Sequence, residues 1–218
     1  MTDYIFKDLQ GTLEFVGDFE SLYKNDPDPW DQSASHGERA SYYLHSRERL
    51  FNKLRFLGGG TTLLDIGCGL GYTSDLLAAT LPLFEVSGAD ISKTAIDKAT
   101  SLFPHLTFFC KDITTSDFKI TQRYDIVILN HLLWYILKSL HQSSLNCHSL
   151  LKSGGKLIIS QAFFKNKQRY GTDMCDGFSG LLSYCLKISD VFEIENDSLS
   201  SVPNLVYDHG LVVLKRKD

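Results

Sequence analysis

Glycines recur at every second position in the segment LLDIGCGLG, which spans residues 63–71. They follow a short apolar run that carries one acid, Asp65, near its end. A glycine has no Cβ, so the backbone of such a segment can turn sharply and come close to a ligand. The pattern therefore predicts a ligand-binding loop between a buried strand and a helix over residues 72–80.

The spacing of the glycines separates two kinds of nucleotide-binding loop. The dinucleotide fingerprint G-x-G-x-x-G needs a glycine at its sixth position, and that position is Tyr72 in this chain. The observed pattern is D-x-G-x-G-x-G instead. A nicotinamide-dependent oxidoreductase is therefore a disfavoured alternative.

Two further acids stand at the ends of the next two predicted strands. Asp90 closes the strand expected over 84–91, and Asp112 closes the one expected over 106–112. Because the carboxyl ends of parallel strands meet at one edge of a sheet, both acids should border the same crevice as Asp65. A carboxylate there can accept hydrogen bonds from both hydroxyls of a ribose.

This succession of a glycine loop and acids at strand ends resembles the class I S-adenosylmethionine (AdoMet)-dependent methyltransferases. The resemblance implies that Asp90 binds the ribose and that Asp112 and Ile113 hold the adenine. It implies AdoMet as cofactor, S-adenosylhomocysteine (AdoHcy) as product, and no metal. The residues expected at the cofactor from the core motifs are Asp65, Gly67, Cys68, Gly69, Gly71, Asp90, Ile91, Asp112, Ile113 and Asn130.

The fourth predicted strand, 124–130, runs into the segment Asn130-His131-Leu132-Leu133-Trp134-Tyr135-Ile136. In the resembled family this position faces the transferred methyl group, so Trp134 and Tyr135 are candidate contacts of the acceptor substrate. His131 is a candidate general base because an imidazole titrates near neutral pH. A lone histidine at a strand–helix junction fits a structural hydrogen-bonding role equally well. The segment is not an N-P-P-Y motif, which disfavours nucleobase and amide acceptors.

The segment over residues 26–43 adds a likeness to a narrower group within these methyltransferases. Asp26-Pro27-Asp28-Pro29-Trp30, followed by Ser33, Glu38-Arg39 and Tyr42-Tyr43, is similar to the start of nodulation-type N-methyltransferases, which methylate an amino group of chitooligosaccharides. The resemblance implies an amino sugar as one acceptor class. Those enzymes carry Ser-Glu where this chain has Asn130-His131, so an AdoMet-binding accessory protein without turnover is an alternative.

Two residues of this segment are further candidates for the cofactor site. Trp30 could pack near the sulfonium by cation–π attraction, or it could serve as an apolar anchor for the leading arm. Arg39 could pair with the methionine carboxylate, which needs a cation. Arginines 47, 49 and 55 compete with Arg39 for that role.

Strand-like and helix-like segments alternate from residue 61 onward, which favours a parallel sheet covered by helices on both faces. The last two predicted strands have no helix between them, so they should form an antiparallel hairpin. Together these features predict a three-layer α/β/α, doubly wound, mainly parallel seven-stranded sheet of the Rossmann-like methyltransferase type. The strands are expected over 61–67, 84–91, 106–112, 124–130, 155–163, 192–197 and 205–215, and one helix over 133–151.

The length of 218 residues predicts a single methyltransferase domain, 1–218. Within it, residues 1–60 are expected to form an N-terminal helical cap or arm, and 61–218 the AdoMet-binding core. An insertion over 164–187 is expected on the substrate side, with Tyr170 as a substrate contact.

The net charge is −4, and the five cysteines form no C-x-x-C pair. No clustered basic face, zinc pattern, signal peptide or long apolar span is evident in the sequence. We therefore expect a cytoplasmic enzyme that methylates a nitrogen or oxygen of a small polar metabolite. We expect neither nucleic acid nor membrane as a partner, and the sequence leaves the oligomeric state open.

Overall fold

The computed structural model describes residues 3–34, 37–56, 61–166, 168–201, 203 and 205–218, with the side chains of 37–39 excepted. The strands in these ranges are β1 Phe6–Leu9, β2 Thr12–Phe15, β3 Thr61–Ile66, β4 Phe84–Asp90, β5 Thr107–Cys110, β6 Tyr124–Asn130, β7 Leu151–Phe164, β8 Phe192–Ser201 and β9 Tyr207–Arg216. The α-helices are α1 Phe19–Asn25, α2 Gly37–Leu54, α3 Tyr72–Thr80, α4 Lys93–Leu102, α5 Leu133–Ile136, α6 Leu140–Leu150 and α7 Gly177–Lys187.

The central sheet has seven strands in the order β5-β4-β3-β6-β7-β9-β8. Strands β3, β4, β5, β6 and β7 pair in parallel with one another, and β9 pairs antiparallel with both β7 and β8. This arrangement confirms the predicted doubly wound sheet with an antiparallel C-terminal pair. The strand order reverses between β3 and β6, so β3 lies at the point where parallel α/β sheets bind ligands.

Alternate residues of β3 feed two apolar cores, one on each face of the sheet. Leu63 packs on the face covered by α2 and α3, in a cluster that includes Leu50 and Leu77. Leu64 packs on the opposite face, with residues of α5, α6 and α7. Side chains of successive strand residues point to opposite faces, so a strand buried on both sides reads as a continuous apolar run.

The helix predicted over 133–151 is interrupted in the structure. Helix α5 ends at Ile136, a 3-10 turn follows at Leu137–Ser139, and α6 begins at Leu140. Leu151 is extended and fully buried, and it already belongs to β7, where it pairs with Tyr124. Leu151 is therefore part of the sheet, whereas the sequence predicted it to be the last residue of the helix.

The N-terminal segment, expected to be helical, begins with a β-hairpin. Strands β1 and β2 pair through a two-residue turn, Gln10-Gly11, in which both residues have positive φ, +53° and +98°. The Asp8 carboxylate accepts a hydrogen bond from the Gly11 N–H, at 2.8 Å. Positive φ at both turn positions matches the right-handed twist of a tight hairpin. The hairpin forms a separate two-stranded sheet, outside the central one.

Within the described part of the chain, none of the helices combines the length and the apolar character that crossing a bilayer requires.

Candidate functional site

A cavity of about 740 Å³ opens at the carboxyl ends of β3, β4, β5 and β6. Its base is the glycine loop that follows β3, and residues of the hairpin, α1 and α2 cover it. The predicted site residues that line it are Trp30, Asp65, Gly67, Cys68, Asp90, Ile91, Asp112, Ile113, Asn130, His131, Trp134 and Tyr135. Gly69, Gly71 and Tyr170 are outside this lining. The side chain of Arg39 lies outside the described residues.

Gly67 shows why the loop needs glycine. Its φ is +77°, and a Cβ added to it would lie 2.7 Å from Cδ1 of Leu132. A side chain at this position would therefore be strained in its backbone and would displace the residue that borders the cavity. Gly69 and Gly71 also have positive φ and carry the chain into α3 without facing the cavity themselves.

Asp90 links the loop to the end of β4. One carboxylate oxygen accepts from the Gly69 N–H and the other from the Ser92 N–H, both at 2.9 Å. Burial raises the pKa of this carboxyl, and the backbone hydrogen bonds partly offset the rise. The side chain is 8% exposed and borders the cavity, so its oxygens are within reach of a bound diol.

Asp65 is more deeply buried than Asp90. Its carboxylate accepts a hydrogen bond from Ser74 Oγ in α3, at 2.8 Å. Burial raises the pKa of Asp65 to about 7, and the positive charge of Arg47 lowers it in part. Asp65 thus anchors the first turn of α3 to the end of β3, and it is close to half protonated at neutral pH.

The third acid is held at the end of β5. One oxygen of Asp112 accepts from the Thr114 N–H at 2.8 Å and from Thr114 Oγ1 at 2.6 Å. Ile91 and Ile113 line the same part of the cavity. Ile91 is 46% exposed, whereas Ile113 is buried in the core. This corner of the cavity therefore offers an acid beside apolar surface, which suits a planar base.

His131 occupies a strained backbone position at the end of β6, with φ +58°. Its Nδ1 lies 2.6 Å from Tyr42 Oη, and its Nε2 lies 2.9 Å from Ser46 Oγ. Ser46 Oγ in turn donates to Asn130 Oδ1 at 3.0 Å. Burial lowers the pKa of His131 to about 3, and the charges of His209 and Arg47 add to this effect. A pKa this low makes the neutral imidazole a weak base, which does not favour the predicted role of general base.

Aromatic side chains form the part of the cavity beyond the loop. The Trp30 and Tyr135 rings lie 5.6 Å apart, and the Trp30 carbonyl accepts from Tyr43 Oη at 2.9 Å. Trp134 donates from its indole N–H to the Ala162 carbonyl, at 3.3 Å. Phe15, Phe19, Phe164 and Tyr207 add to this aromatic wall. The structure thus brings together three of the four predicted aromatic residues, Trp30, Trp134 and Tyr135.

Tyr170 packs against the covering hairpin and is outside the cavity lining. Its ring packs edge-on against Phe6 at 5.0 Å and near Phe15 at 6.1 Å. Arg169 beside it forms an ion pair with Asp8 of β1. This part of the predicted insertion therefore supports the hairpin and does not line the cavity.

Helix α2 supplies residues that the sequence analysis did not select. Arg47 lies over the Tyr43 ring at 5.1 Å, and it donates to the Gln32 carbonyl at 3.0 Å and to Thr73 Oγ1 at 3.2 Å. Tyr43, Gln32 and Thr73 all line the cavity, so this guanidinium stands at its edge. The two residues of each pair, Tyr42/Ser46 and Tyr43/Arg47, are four positions apart and therefore lie on one helix face. This spacing is a sequence signal that could have indicated them.

Comparison with known proteins agrees with this geometry. Residues 64–157 match the family described as a methyltransferase domain. An uncharacterised protein of Methanocaldococcus jannaschii, MJ0906, is 28% identical over 204 residues, which cover 89% of this chain and 53% of that protein. A malonyl-[acyl-carrier protein] O-methyltransferase of Priestia megaterium is 30% identical over 117 residues, 51% of this chain and 41% of that protein. The chain spans about half the length of the curated relatives it matches.

A solved structure extends the likeness to almost the whole chain. The N-methyltransferase NodS from Bradyrhizobium japonicum WM9, in complex with AdoHcy, superposes with a TM-score of 0.69. The match covers 92% of this chain and 98% of that chain, at 18% identity. At this identity the likeness establishes the fold, including the antiparallel C-terminal strands.

Proposed function

We propose that this chain, a member of the class I AdoMet-dependent methyltransferases, transfers the methyl group of AdoMet to a nitrogen or oxygen of a small polar metabolite. One observation carries the proposal: a single cavity joins the strand-end acid Asp90 to a chamber lined by Trp134 and Tyr135. When bound, AdoMet supplies an electrophilic methyl carbon on a sulfonium, which is already a good leaving group.

The groups around the loop fit three parts of this cofactor, which are the ribose, the adenine and the methionine carboxylate. Asp90 would accept from the ribose hydroxyls, and Asp112 with Ile113 would hold the adenine at the end of β5. The Gly67 backbone would approach the cofactor closely, because a Cβ there has no room. Arg47 would pair with the methionine carboxylate, since it is the described arginine whose hydrogen-bond partners line the cavity beside Asp65.

The chain's own contribution to the reaction would be positioning and the exclusion of water. The hairpin, α1 and α2 cover the chamber with aromatic rings, and these would hold the acceptor against the methyl group. An amino sugar is the first acceptor class to test, because the leading segment resembles nodulation-type enzymes and NodS is named an N-methyltransferase. The Priestia relative is named an O-methyltransferase, so hydroxyl acceptors belong in the same test.

Calorimetric titration with AdoMet, AdoHcy and NAD tests the cofactor assignment. We expect AdoHcy to bind at one site per chain and NAD to give no heat. Asp90→Ala should weaken AdoHcy binding by roughly 1–3 kcal/mol, because it leaves buried polar partners unpaired. Asp97→Ala is the matched control, since Asp97 is an exposed acid paired with Lys93 on α4.

Release of AdoHcy with a panel of amine and hydroxyl acceptors tests turnover. Binding of NAD without binding of AdoMet would refute the methyltransferase proposal and support an oxidoreductase. Intact AdoMet affinity with no turnover across the panel would instead identify an accessory binding protein.

A further inference from the structure

We infer that the acceptor is a neutral amine, which attacks without prior loss of a proton, and that His131 positions the site and does not act as a base. This inference rests on the proposed function and narrows its acceptor class. The amine nitrogen supplies the electron pair of the new C–N bond, while the C–S bond breaks and its pair stays on sulfur. The product is an N-methylammonium ion, and its extra proton passes to water after transfer.

The hydrogen bonds of His131 carry the argument. Ser46 Oγ donates its proton to Asn130 Oδ1, so its oxygen accepts from the His131 Nε2–H. Nδ1 of the neutral ring is then the unprotonated nitrogen, and it accepts from Tyr42 O–H at 2.6 Å. A neutral imidazole has one basic lone pair. That lone pair is directed at the protein's own tyrosine, away from any acceptor proton.

The surroundings of the ring oppose an imidazolium ion. Helix α2 presents Tyr42, Tyr43 and the cation of Arg47, while β9 presents Tyr207 and His209. None of these groups is an anion that could stabilise a positive charge on His131. Burial lowers the pKa of His209 as well, to about 4. Neither histidine is therefore an imidazolium ion at neutral pH.

Each acid that lines the described cavity already accepts a hydrogen bond from the protein. Asp65 accepts from Ser74, Asp90 from the loop backbone, and Asp112 from Thr114. A hydroxyl acceptor must lose its proton to a base during transfer, and His131, the histidine that lines the described cavity, directs its lone pair at Tyr42. An amine carries its own nucleophilic lone pair and needs no base. The aromatic wall favours the same acceptor, because ring faces attract the developing ammonium charge.

Nuclear magnetic resonance of ¹⁵N-histidine in the AdoHcy complex tests the inference without any acceptor. His131→Asn assigns the signal, and Asn tolerates the left-handed backbone at this position. We expect His131 to keep its proton on Nε2 and to remain neutral down to pH 5. Titration of His131 between pH 6 and pH 8, or a proton on Nδ1, would overturn the inference.

Matched acceptors that differ only in the nucleophile provide the second test. Glucosamine with glucose, and benzylamine with benzyl alcohol, are suitable pairs, and AdoHcy release is the readout. We expect methylation of the amines, with a rate that rises with pH up to the pKa of each amine. His131→Asn should lower this rate by no more than about 10-fold and leave the shape of the pH profile unchanged, whereas loss of a general base costs about 10²–10⁴-fold.

The outcomes test the amine assignment and the proposed function separately. Methylation of the alcohols, the absence of any amine turnover in protein that binds AdoMet, or a 100-fold loss in His131→Asn with intact AdoHcy affinity would each overturn the amine assignment. Failure to bind AdoMet at all would refute the proposed function itself.

Discussion

Tyr42 Oη lies 2.6 Å from His131 Nδ1, and the bond ties α2 to the residue that follows β6, 89 positions later in the sequence. The bond holds a residue whose backbone is in the left-handed region, with φ +58°. Such strain persists where the surrounding structure fixes it in several ways, and it clusters at functional sites. Helix α2, which covers the cavity, and the end of β6 are therefore linked through the imidazole of His131.

Tyr42→Phe should lower turnover about 10-fold and leave AdoHcy affinity within twofold of wild type. The ring would keep its edge-on packing with Tyr43 and Tyr207, at 5.1 and 4.9 Å, but the hydrogen bond to His131 would be lost. A loss of this kind corresponds to about 1–2 kcal/mol. Tyr184→Phe is the control, because its hydroxyl meets Ser144 at 2.8 Å away from the cavity. Equal losses in both variants would show a stability effect only.

Arg47→Met should weaken AdoHcy binding about 5- to 150-fold, the range expected when a carboxylate loses a charged partner. Its affinity for 5′-methylthioadenosine, which lacks the methionine carboxylate, should stay near the wild-type value. Calorimetry with both ligands makes the comparison. Arg55→Met is a matched control on the segment that follows α2, where the guanidinium lies over Phe56 at 4.6 Å. A parallel loss for both ligands would contradict the carboxylate assignment.

Gly67→Ala should abolish measurable AdoHcy binding. The new Cβ would meet Leu132 at 2.7 Å and the backbone would keep a φ of +77°. Gly177→Ala separates these two effects, because Gly177 has φ +62° and no atom within 4 Å of an added Cβ. Both variants should lose about 1 kcal/mol of unfolding free energy to backbone strain, and only Gly67→Ala should lose cofactor. Chemical denaturation and calorimetry together would show whether AdoHcy binding survives in both.

The pKa of Asp65 predicts a pH-dependent stability. An acid whose pKa rises from 3.8 in the unfolded chain to about 7 in the folded chain binds more protons when folded. Stability from this group is therefore full below pH 4, falls as the pH rises to about 7, and is level above that. Asp65→Asn should remove the decline and raise the free energy of unfolding at pH 8 by roughly 2–4 kcal/mol relative to wild type. Urea denaturation of the cofactor-free protein at pH 5 and pH 8 measures it.

A free energy of unfolding for Asp65→Asn that changes with pH as in wild type would contradict this assignment. Asp97→Asn, which alters an exposed acid on α4, should leave the pH profile unchanged. We also expect Asp65→Asn to retain the bond from Ser74, since an amide oxygen accepts as a carboxylate oxygen does.

The sequence was sufficient for the parts of the fold that have a local pattern. The apolar run of β3 predicts a buried strand. Asp90 and Asp112 each close a predicted strand, so the alternation of strands and helices places both acids at one edge of the sheet. The four-residue spacing places Tyr42 and Arg47 on faces of a helix, but their contacts could not be predicted in this way, because their partners lie between 15 and 89 positions away. The end of α6 at Leu150 also depends on tertiary structure, since Leu151 is buried in the sheet.

The hairpin over the acceptor chamber has a consequence for the order of assembly. Phe6 and Phe15 pack on Tyr135 and Tyr170, and the Leu13 N–H of β2 donates a hydrogen bond to the Arg169 carbonyl. Strands β1 and β2 thus find their packing surface only after residues 135, 169 and 170 have been made. Domains fold as synthesis proceeds. The glycine loop and its strand-end acids can therefore be in place before the hairpin covers the acceptor chamber. In a nascent chain, the cofactor could bind and stabilise the sheet before the acceptor compartment exists.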